Sequence, residues 1–270
     1  MGKATLAIDG HVHLYSVYDL PTAVDCGVRN LRTEASKINP EVIPVWLLVE
    51  RSDANFFEKI YHNPGQFSSN GIRFKKGPDD VTITVERDSR VLLYIFAGRQ
   101  LVTREGLEVL SLISNLDIPD KQKSIDQIIH AVQESGGIPA LNWAPGKWFF
   151  KRGQVIARQI QQRSVTEIFI GETTLRHRLW PEPKLVKQAR RKGFPIIAGS
   201  DPLPFKGEEN GIGSFGFLIS GAFDSAQPAQ SLRAMMQRNQ QDIQIIGKRN
   251  DVLTFARRQF KIMMEKRTRE

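Results

Sequence analysis

Short apolar segments alternate with segments of helical periodicity along almost the whole chain, and this alternation restricts the fold more than any other feature of the sequence. Seven of the apolar segments carry Val, Ile, Leu or Phe at consecutive positions, as expected for strands that are buried on both faces. Repeated strand–helix units of this kind predict an α/β fold built on a parallel sheet or a barrel. The predicted strands cover residues 4–9, 42–49, 91–97, 107–113, 138–142, 167–171 and 195–199.

Helices are predicted between these strands. The clearest covers residues 124–135, where isoleucine and valine side chains form one stripe, Ser124 and Gln127 form a capping box, and two glycines follow. Residues 71–90 combine glycines and a proline with an alternating apolar pattern, which is typical of an inserted hairpin. Further helices are predicted near residues 53–62, 151–163, 182–192, 228–239 and 251–266.

The domain organisation follows from the number of strands. Seven strands in a chain of 270 residues are suited to one closed or nearly closed α/β barrel. We therefore predict a barrel over residues 1–230 and a basic C-terminal helical extension over residues 231–270. The extension is expected to pack on the barrel through an apolar stripe of its last helix, formed by Val252, Phe255, Gln259 and Met263.

Composition excludes several classes of protein. Hydrophobic residues make up 40% of the chain and charged residues 25%, which is typical of a globular protein. No apolar run approaches the roughly 20 residues that a membrane span needs. The single cysteine, Cys26, excludes an internal disulfide and a Cys-rich zinc site. Because the first residues lead into a strand without a secretory segment, we expect a cytoplasmic protein.

The formal net charge of +9 is unevenly distributed. Residues 151–192 hold eleven lysines and arginines against three acidic residues, and residues 231–270 hold ten against four. Two basic segments on a mildly acidic body favour an anionic partner, although solvated helix faces would give the same pattern. An anionic small molecule is the favoured partner. A nucleic acid is less favoured, because no recognised nucleic-acid motif is present.

Two histidines directly after the first predicted strand form the sharpest local feature, within the segment Asp9-Gly10-His11-Val12-His13. Residues at positions i and i+2 of an extended segment point to the same side. Both imidazoles can then bind one metal ion. Two unrelated surface histidines are the alternative, but the chain holds five histidines in total, and their spacing at a strand end favours a metal site.

A carboxylate follows the last predicted strand, in the segment Gly199-Ser200-Asp201. The carboxyl ends of parallel barrel strands meet at one rim, where active sites collect. Asp201 could therefore complete a site of two histidines and one carboxylate with His11 and His13. Taken alone, it could equally cap the turn before Pro202.

Several segments resemble the PHP (polymerase and histidinol phosphatase) superfamily. The resemblance includes residues 98–110, the Ile118-Pro119 pair, and residues 136–141, which lie between the histidine pair and Asp201 in the order that the family shows. It extends along the chain to about residue 216. It implies a distorted seven-stranded (β/α) barrel, phosphoesterase activity or a role as a polymerase domain, and up to three metal ions at the strand ends.

The chain departs from the family at most other ligand positions. Of the family's ligands, His11, His13 and Asp201 remain, which implies one divalent ion, such as Mn, Zn or Fe, in place of a trinuclear cluster. Glu50, Glu108 or Glu172 could add a ligand. The replaced family ligands fall at Val49-Glu50-Arg51, Gln100, Leu107 or Glu108, residues 141–145, and Leu203.

Polar side chains at the same rim suggest a catalytic set. Arg51 and Lys147 could bind a phosphate or carboxylate where metal ligands are lost, and Glu172 could act as a base or pair with an arginine. The favoured hypothesis is a metal-dependent hydrolase, acting on a phosphate ester. The alternative is a catalytically degenerate PHP-like barrel that binds an anionic ligand or partner, which the loss of ligand histidines would explain.

Overall fold

The strands form two mixed sheets in an α/β structure. The computed structural model describes the backbone of residues 2–269 and the side chains of residues 2–264. The strands within this part are β1 (Gly2–Val12), β2 (Ile43–Leu48), β3 (Arg73–Lys76), β4 (Thr82–Arg87), β5 (Arg90–Phe96), β6 (Gly98–Val102), β7 (Glu108–Leu112), β8 (Ile138–Asn142), β9 (Phe169–Thr173), β10 (Ile196–Gly199), β11 (Phe215–Phe223) and β12 (Gln244–Gly247).

Helices connect and cover these strands. They are α1 (Leu20–Ala35), α2 (Phe56–His62), α3 (Pro64–Phe67), α4 (Ile125–Glu134), α5 (Phe150–Gln162), α6 (Lys184–Arg191), α7 (Pro228–Arg238) and α8 (Val252–Arg269). The predicted capping box begins α4, where the Ser124 side chain accepts from the Gln127 N–H and the Gln127 side chain returns the interaction. None of the helices in the described part of the chain combines the length and the apolar character that a bilayer crossing requires.

The larger sheet has the order β12-β11-β1-β2-β5-β4-β3, and the smaller sheet has the order β10-β9-β8-β7-β6. Pairing is parallel from β1 through β2 to β5 and from β8 through β9 to β10, and antiparallel elsewhere. The carboxyl ends of the parallel strands therefore lie on one side of each sheet. The predicted hairpin over residues 71–90 is confirmed, because β3 and β4 pair antiparallel and extend the larger sheet beyond β5.

The two sheets meet at two places. The Asp201 N–H donates to the His11 carbonyl at 2.9 Å, which brings the end of β10 against the end of β1. On the other side, Glu50 bridges to the smaller sheet, since its N–H donates to the Gly98 carbonyl and its carbonyl accepts from Gln100. The sequence predicted seven strands in one barrel, whereas the described strands form two sheets joined by these short contacts.

All seven predicted strands are present, but β6, β11 and β12 were missed. The segment before and within β11 resembles a loop because it is rich in glycine. Gly216 is required there for a close approach, since a Cβ atom would lie 2.3 Å from the Ile8 carbonyl oxygen on β1. A residue that permits strand pairing in this fold therefore removes the strand signal from the sequence.

Two hydrophobic clusters stabilise the fold. The first lies mainly between the larger sheet and helices α1 and α7, and it includes the fully buried Trp46, Phe96 and Phe217. The second lies between the smaller sheet and α4, α5 and α6. Each buried aliphatic side chain of α4 contributes about 1.5–3 kcal/mol relative to exposure. These residues are Ile125, Ile128, Ile129 and Val132.

The predicted apolar stripe of α8 is packed only in part: Phe255 and Gln259 are half-buried, whereas the residues at its two ends are exposed. Val252 and Met263 are 41% and 56% exposed, whereas Arg258 is only 6% exposed. The Phe255 ring contacts the rings of His177 and Trp180, so the helix does lie against the rest of the chain. The expected boundary at residue 230 falls inside α7, and β12 pairs with β11 in the larger sheet.

A buried carboxylate fixes the junction between β1 and β10. Oδ1 of Asp9 accepts from the backbone N–H groups of His11 at 3.2 Å and Ser200 at 2.9 Å. Its Oδ2 accepts from the Ser200 hydroxyl at 2.5 Å and from the Gly213 N–H at 2.8 Å. Burial raises the pKa of Asp9 to about 6, although all four donors act to lower it. One side chain thus links β1, β10 and the loop before β11.

Replacing Asp9→Asn should destabilise the protein by about 1–3 kcal/mol, because an amide NH₂ cannot accept from the donors that face the carboxylate. Urea denaturation measures this change. The matched control is Asp25→Asn, which alters a surface ion pair with Arg87 and should cost less than about 1 kcal/mol. Equal losses in the two variants would contradict the assigned role of Asp9.

Candidate metal centre

The two histidines project from the end of β1 into the space beside β10. His11 and His13 lie two residues apart on extended backbone and are both buried. Their Nε2 atoms are 3.0 Å apart, and their rings meet edge to face with centroids 4.9 Å apart. The predicted convergence of the two imidazoles is therefore present.

Asp201 reaches the same point from the other side of the junction. Its Oδ1 lies 3.6 Å from Nε2 of His11 and 3.5 Å from Nε2 of His13. The residue has a φ of 49°, in the left-handed region that few side chains other than Asn and Asp adopt. Strained backbone of this kind persists where surrounding structure enforces it, and it is frequent at functional sites.

Burial controls the protonation of these three side chains. It lowers the pKa of both His11 and His13 from 6.5 to about 3, so both imidazoles are neutral at physiological pH. It also raises the pKa of Asp201, against the lowering effects of His13, the Arg258 guanidinium and a hydrogen bond to Thr173. Neutral imidazoles with free ring nitrogens are the form in which histidine binds metals.

The separations within the group fit a metal ion. In a tetrahedral zinc site with metal–ligand distances of about 2.0–2.1 Å, the ligand atoms lie about 3.3 Å apart. The observed separations of 3.0, 3.5 and 3.6 Å bracket this value. Within the described side chains, His11, His13 and Asp201 are the one group of three potential ligands that meets at a point. The buried Nδ1 of His11 has no hydrogen-bond partner among the described residues. In most metal sites, the imidazole nitrogen that does not bind the metal donates a hydrogen bond.

A cavity of about 470 Å³ opens in front of this group. Arg51 and Lys147 both line it. Nζ of Lys147 lies 3.1 Å from Oε1 of Glu108, which also lines the cavity. The exposed Arg51 side chain pairs with Asp53 at 3.2 Å. Both cations are therefore available at the cavity, each beside one carboxylate.

Glu172 is not brought to this cavity. Its buried carboxylate pairs with Arg176 at 2.5 Å through Oε1 and with Arg249 through Oε2. Each carboxylate oxygen pairs with a guanidinium group. The Glu172 side chain therefore joins the end of β9 to the loop between β12 and α8. This is the arginine-paired alternative for Glu172, and it leaves no lone oxygen for a base.

The other candidate ligands also have structural partners. Oε1 of Glu50 accepts from the N–H groups of Phe56 and Phe57 and caps the start of α2. Burial raises the pKa of Glu50, which Arg99 opposes. Glu108 pairs with Lys147. Neither carboxylate belongs to the metal-ligand group in the described structure.

Several residues at the site were missed by sequence reasoning. Gln259 and Ile262 of α8 line the cavity, and Arg258 contacts the backbone of Asp201. Tyr15 and Asn142 also line the cavity, and the buried Oδ1 of Asn142 has no partner among the described residues. The segment 141–145 was flagged as a replaced ligand position. For the α8 residues, no local sequence signal exists, because helical periodicity does not show which face meets a distant loop.

Comparison with solved structures adds information on the fold. PsfC from Pseudomonas syringae PB-5123 is similar with a TM-score of 0.57 and 14% identity, over 92% of this chain and 93% of PsfC. A second similar structure is a two-domain protein from Bacteroides vulgatus ATCC 8482 that contains a predicted PHP-like metal-dependent phosphoesterase. Its TM-score is 0.47 and its identity 12%, over 91% of this chain and 66% of that protein. PfuEndoQ from Pyrococcus furiosus, a lesion-specific endonuclease, has a TM-score of 0.47 and 10% identity, over 86% of this chain and 56% of PfuEndoQ.

No protein-family model and no curated protein matches the chain. At identities of 10–14%, the similarity concerns the fold alone.

Replacing His13→Gln should flatten the pH dependence of stability in metal-free protein. Between pH 6.5 and 3 the unfolded chain binds histidine protons that the folded protein does not, so acidification lowers the free energy of unfolding. Each histidine contributes at most about 1.4 kcal/mol per pH unit. Asp9 and Asp201 act in the opposite direction. Loss of His13 also removes an interaction that lowers the pKa of Asp201, which flattens the slope in the same sense.

Urea denaturation at pH 4.5, 5.5 and 6.5 with a chelator present measures the slope. His130→Gln is the control, because His130 is exposed and paired with Glu134 at 3.2 Å. An identical slope in parent, His13→Gln and His130→Gln would show that burial does not hold His13 neutral.

Proposed function

We propose that the protein is a metal-dependent hydrolase that acts on a phosphate ester through a mononuclear site in a PHP-like distorted (β/α) barrel. The observation that carries the proposal is the convergence of two neutral imidazoles and one carboxylate beside a cavity that His13 and Asp201 line. Three protein ligands leave coordination positions open for water and substrate, as in catalytic sites. His11, His13 and Asp201 would hold one divalent ion, such as Mn, Zn or Fe.

The chemistry divides between the ion and the side chains of the cavity. When bound, a divalent ion lowers the pKa of a water molecule toward neutrality and polarises the ester. Arg51 and Lys147 bind the anionic group and offset the charge that develops on it. The ion pair with Glu108 holds the Lys147 ammonium group in place before the substrate binds. When the substrate binds, Lys147 leaves Glu108 and pairs with the anionic group.

The cavity favours a small substrate. Its volume is within the range of about 300–1,000 Å³ that is typical of small-molecule sites. Gln259 and Ile262 of α8 form part of its wall, so the C-terminal helix limits the space in front of the ligands. A small phosphate ester therefore fits this site better than a nucleic-acid duplex, and a nucleic acid stays the second choice of partner.

A non-catalytic role is the alternative. It is favoured by Glu172, whose pairing with Arg176 and Arg249 leaves the site without the carboxylate that the sequence suggested as a base. In this case the cavity would bind an anionic ligand through Arg51 and Lys147 without hydrolysing it. The experiment below separates the two roles.

Asp201→Asn should abolish stoichiometric metal binding and leave the fold intact. The change keeps the size of the side chain but removes the charge that offsets a divalent cation. Elemental analysis of parent, Asp201→Asn and His11→Ala, prepared without a His-tag and incubated with Mn, Zn or Fe, measures metal per chain. We expect about one ion in the parent and none in either variant, with circular dichroism unchanged.

The same preparations are assayed on chromogenic phosphate monoesters and diesters. Hydrolysis by the metal-loaded parent that is lost in both variants would support the proposed reaction. Metal binding without hydrolysis of any ester would leave the site and favour the non-catalytic role. A parent that binds none of the three metals would overturn the metallohydrolase proposal.

Arg51→Ala should reduce the protection that added phosphate gives against thermal unfolding. A ligand that binds the folded state alone stabilises it by RT ln(1 + L/Kd), where L is the free ligand concentration, so the weaker binding that follows loss of an anion-binding cation lowers the shift in melting temperature. Differential scanning fluorimetry across a phosphate titration measures the shift. Arg90→Ala, an exposed arginine that does not line the cavity, is the matched control. Equal phosphate protection in both variants would remove Arg51 from the site.

A further inference from the structure

An arginine of the C-terminal helix is buried against the backbone of a proposed metal ligand. Arg258 on α8 donates from one guanidinium nitrogen to the carbonyl of Asp201 at 2.7 Å. A second nitrogen donates to the hydroxyl of Thr174 at 2.7 Å, and Nε lies 3.0 Å from a carboxylate oxygen of Glu208. The guanidinium therefore joins α8 to the ends of β9 and β10 and to the loop that follows β10.

These contacts surround the strained residue. The Asp201 N–H is held by the His11 carbonyl at 2.9 Å, and its own carbonyl is held by Arg258. The carbonyl of Ser200, one residue earlier, accepts from the Thr174 hydroxyl at 2.6 Å. Arg258 thus contacts Asp201 directly and orients the group that holds the preceding peptide. With both neighbouring peptide groups fixed, the backbone of this left-handed aspartate has little freedom to move, and the side chain starts from a set position opposite His11 and His13.

Anchoring of the helix does not by itself explain a buried arginine. Phe255 already packs α8 against His177 and Trp180. Burying a charged pair carries a desolvation cost that often equals or exceeds its attraction, so an apolar side chain would serve an anchor as well. Two of the three acceptors of Arg258 act instead on the backbone at Asp201: the Asp201 carbonyl itself, and the Thr174 hydroxyl that holds the Ser200 carbonyl.

We propose that Arg258 is a positioning residue that fixes the backbone of Asp201 and thereby sets the metal affinity of the site, which makes α8 a part of the metal centre. The metal part of this inference rests on the proposed function. The backbone part concerns the protein with or without an ion, and it can be measured separately.

Three full-length variants test the proposal. Arg258→Met keeps the length of the side chain and removes every donor. Arg258→Lys keeps the charge but reaches fewer acceptors at once, and it serves as the variant expected to fold if the methionine variant does not. Arg257→Met is the matched control, because Arg257 is the neighbouring residue of α8 and is exposed.

Two readouts are measured on each variant. Hydrogen exchange of the peptide around residue 201 in metal-free protein reports the backbone, and chelator competition with Zn²⁺ or Mn²⁺ reports metal affinity. We expect faster exchange at Asp201 and an affinity loss of about 10–100-fold in Arg258→Met, the range found when groups that orient metal ligands are removed. Arg258→Lys should fall between Arg258→Met and the parent, and Arg257→Met should match the parent.

The outcomes separate the two proposals. If the parent binds no metal and hydrogen exchange is faster in the Arg258 variants alone, the positioning role would be supported and the metal site refuted. Unchanged exchange and unchanged affinity in a folded Arg258 variant would overturn the inference while leaving the metal site in place. A fall in melting temperature without change in either readout would also overturn it, because it would assign Arg258 to helix docking alone.

Discussion

The contact between the ends of β1 and β10 is the constraint on which the rest of the site depends. The buried Asp9 carboxylate gathers four donors from three segments that lie up to about two hundred residues apart in sequence, and the Asp201 N–H closes the junction on the His11 carbonyl. A Cβ at Gly199 would lie 2.3 Å from His11, so the approach needs glycine at that position. Without this junction, the histidines and Asp201 would have no common point.

Burial then decides the chemistry that the junction can support. Burial removes the two imidazoles from water and keeps them neutral, and the neutral imidazole is the form that binds a metal ion. A solvent-exposed ion pair would not need neutral imidazoles. Buried ion pairs lie outside this ligand group: Glu172 pairs with two arginines, and Arg258 pairs with Glu208. The cavity is lined by His13 and Asp201 of the ligand group and by the charged side chains of Arg51, Glu108 and Lys147.

Sequence reasoning worked where a local pattern has one structural reading. Consecutive apolar residues mark strands that are buried on both faces, and all seven such segments are strands. The i, i+2 spacing of His11 and His13 on an extended segment fixes their common direction. Reasoning failed where tertiary contact overrides the local pattern. The strand signal of β11 is weakened by Gly216, which the close approach of β1 requires. The apolar stripe assigned to α8 left out Arg258, which is buried because Glu208 matches its charge.

The sequence by itself therefore determined the α/β class, the strands that form the centre of each sheet, the histidine pair, and the placement of Asp201 after a strand. Only the tertiary structure decided that the strands divide into two sheets, that Asp201 meets the histidines, that Glu172 is held by arginines, and that α8 brings Arg258 to the backbone of Asp201. The physical reason is the range of the interactions. Periodicity and spacing report neighbours within a few residues, whereas hydrogen bonds across 57 or 191 positions depend on how the whole chain closes.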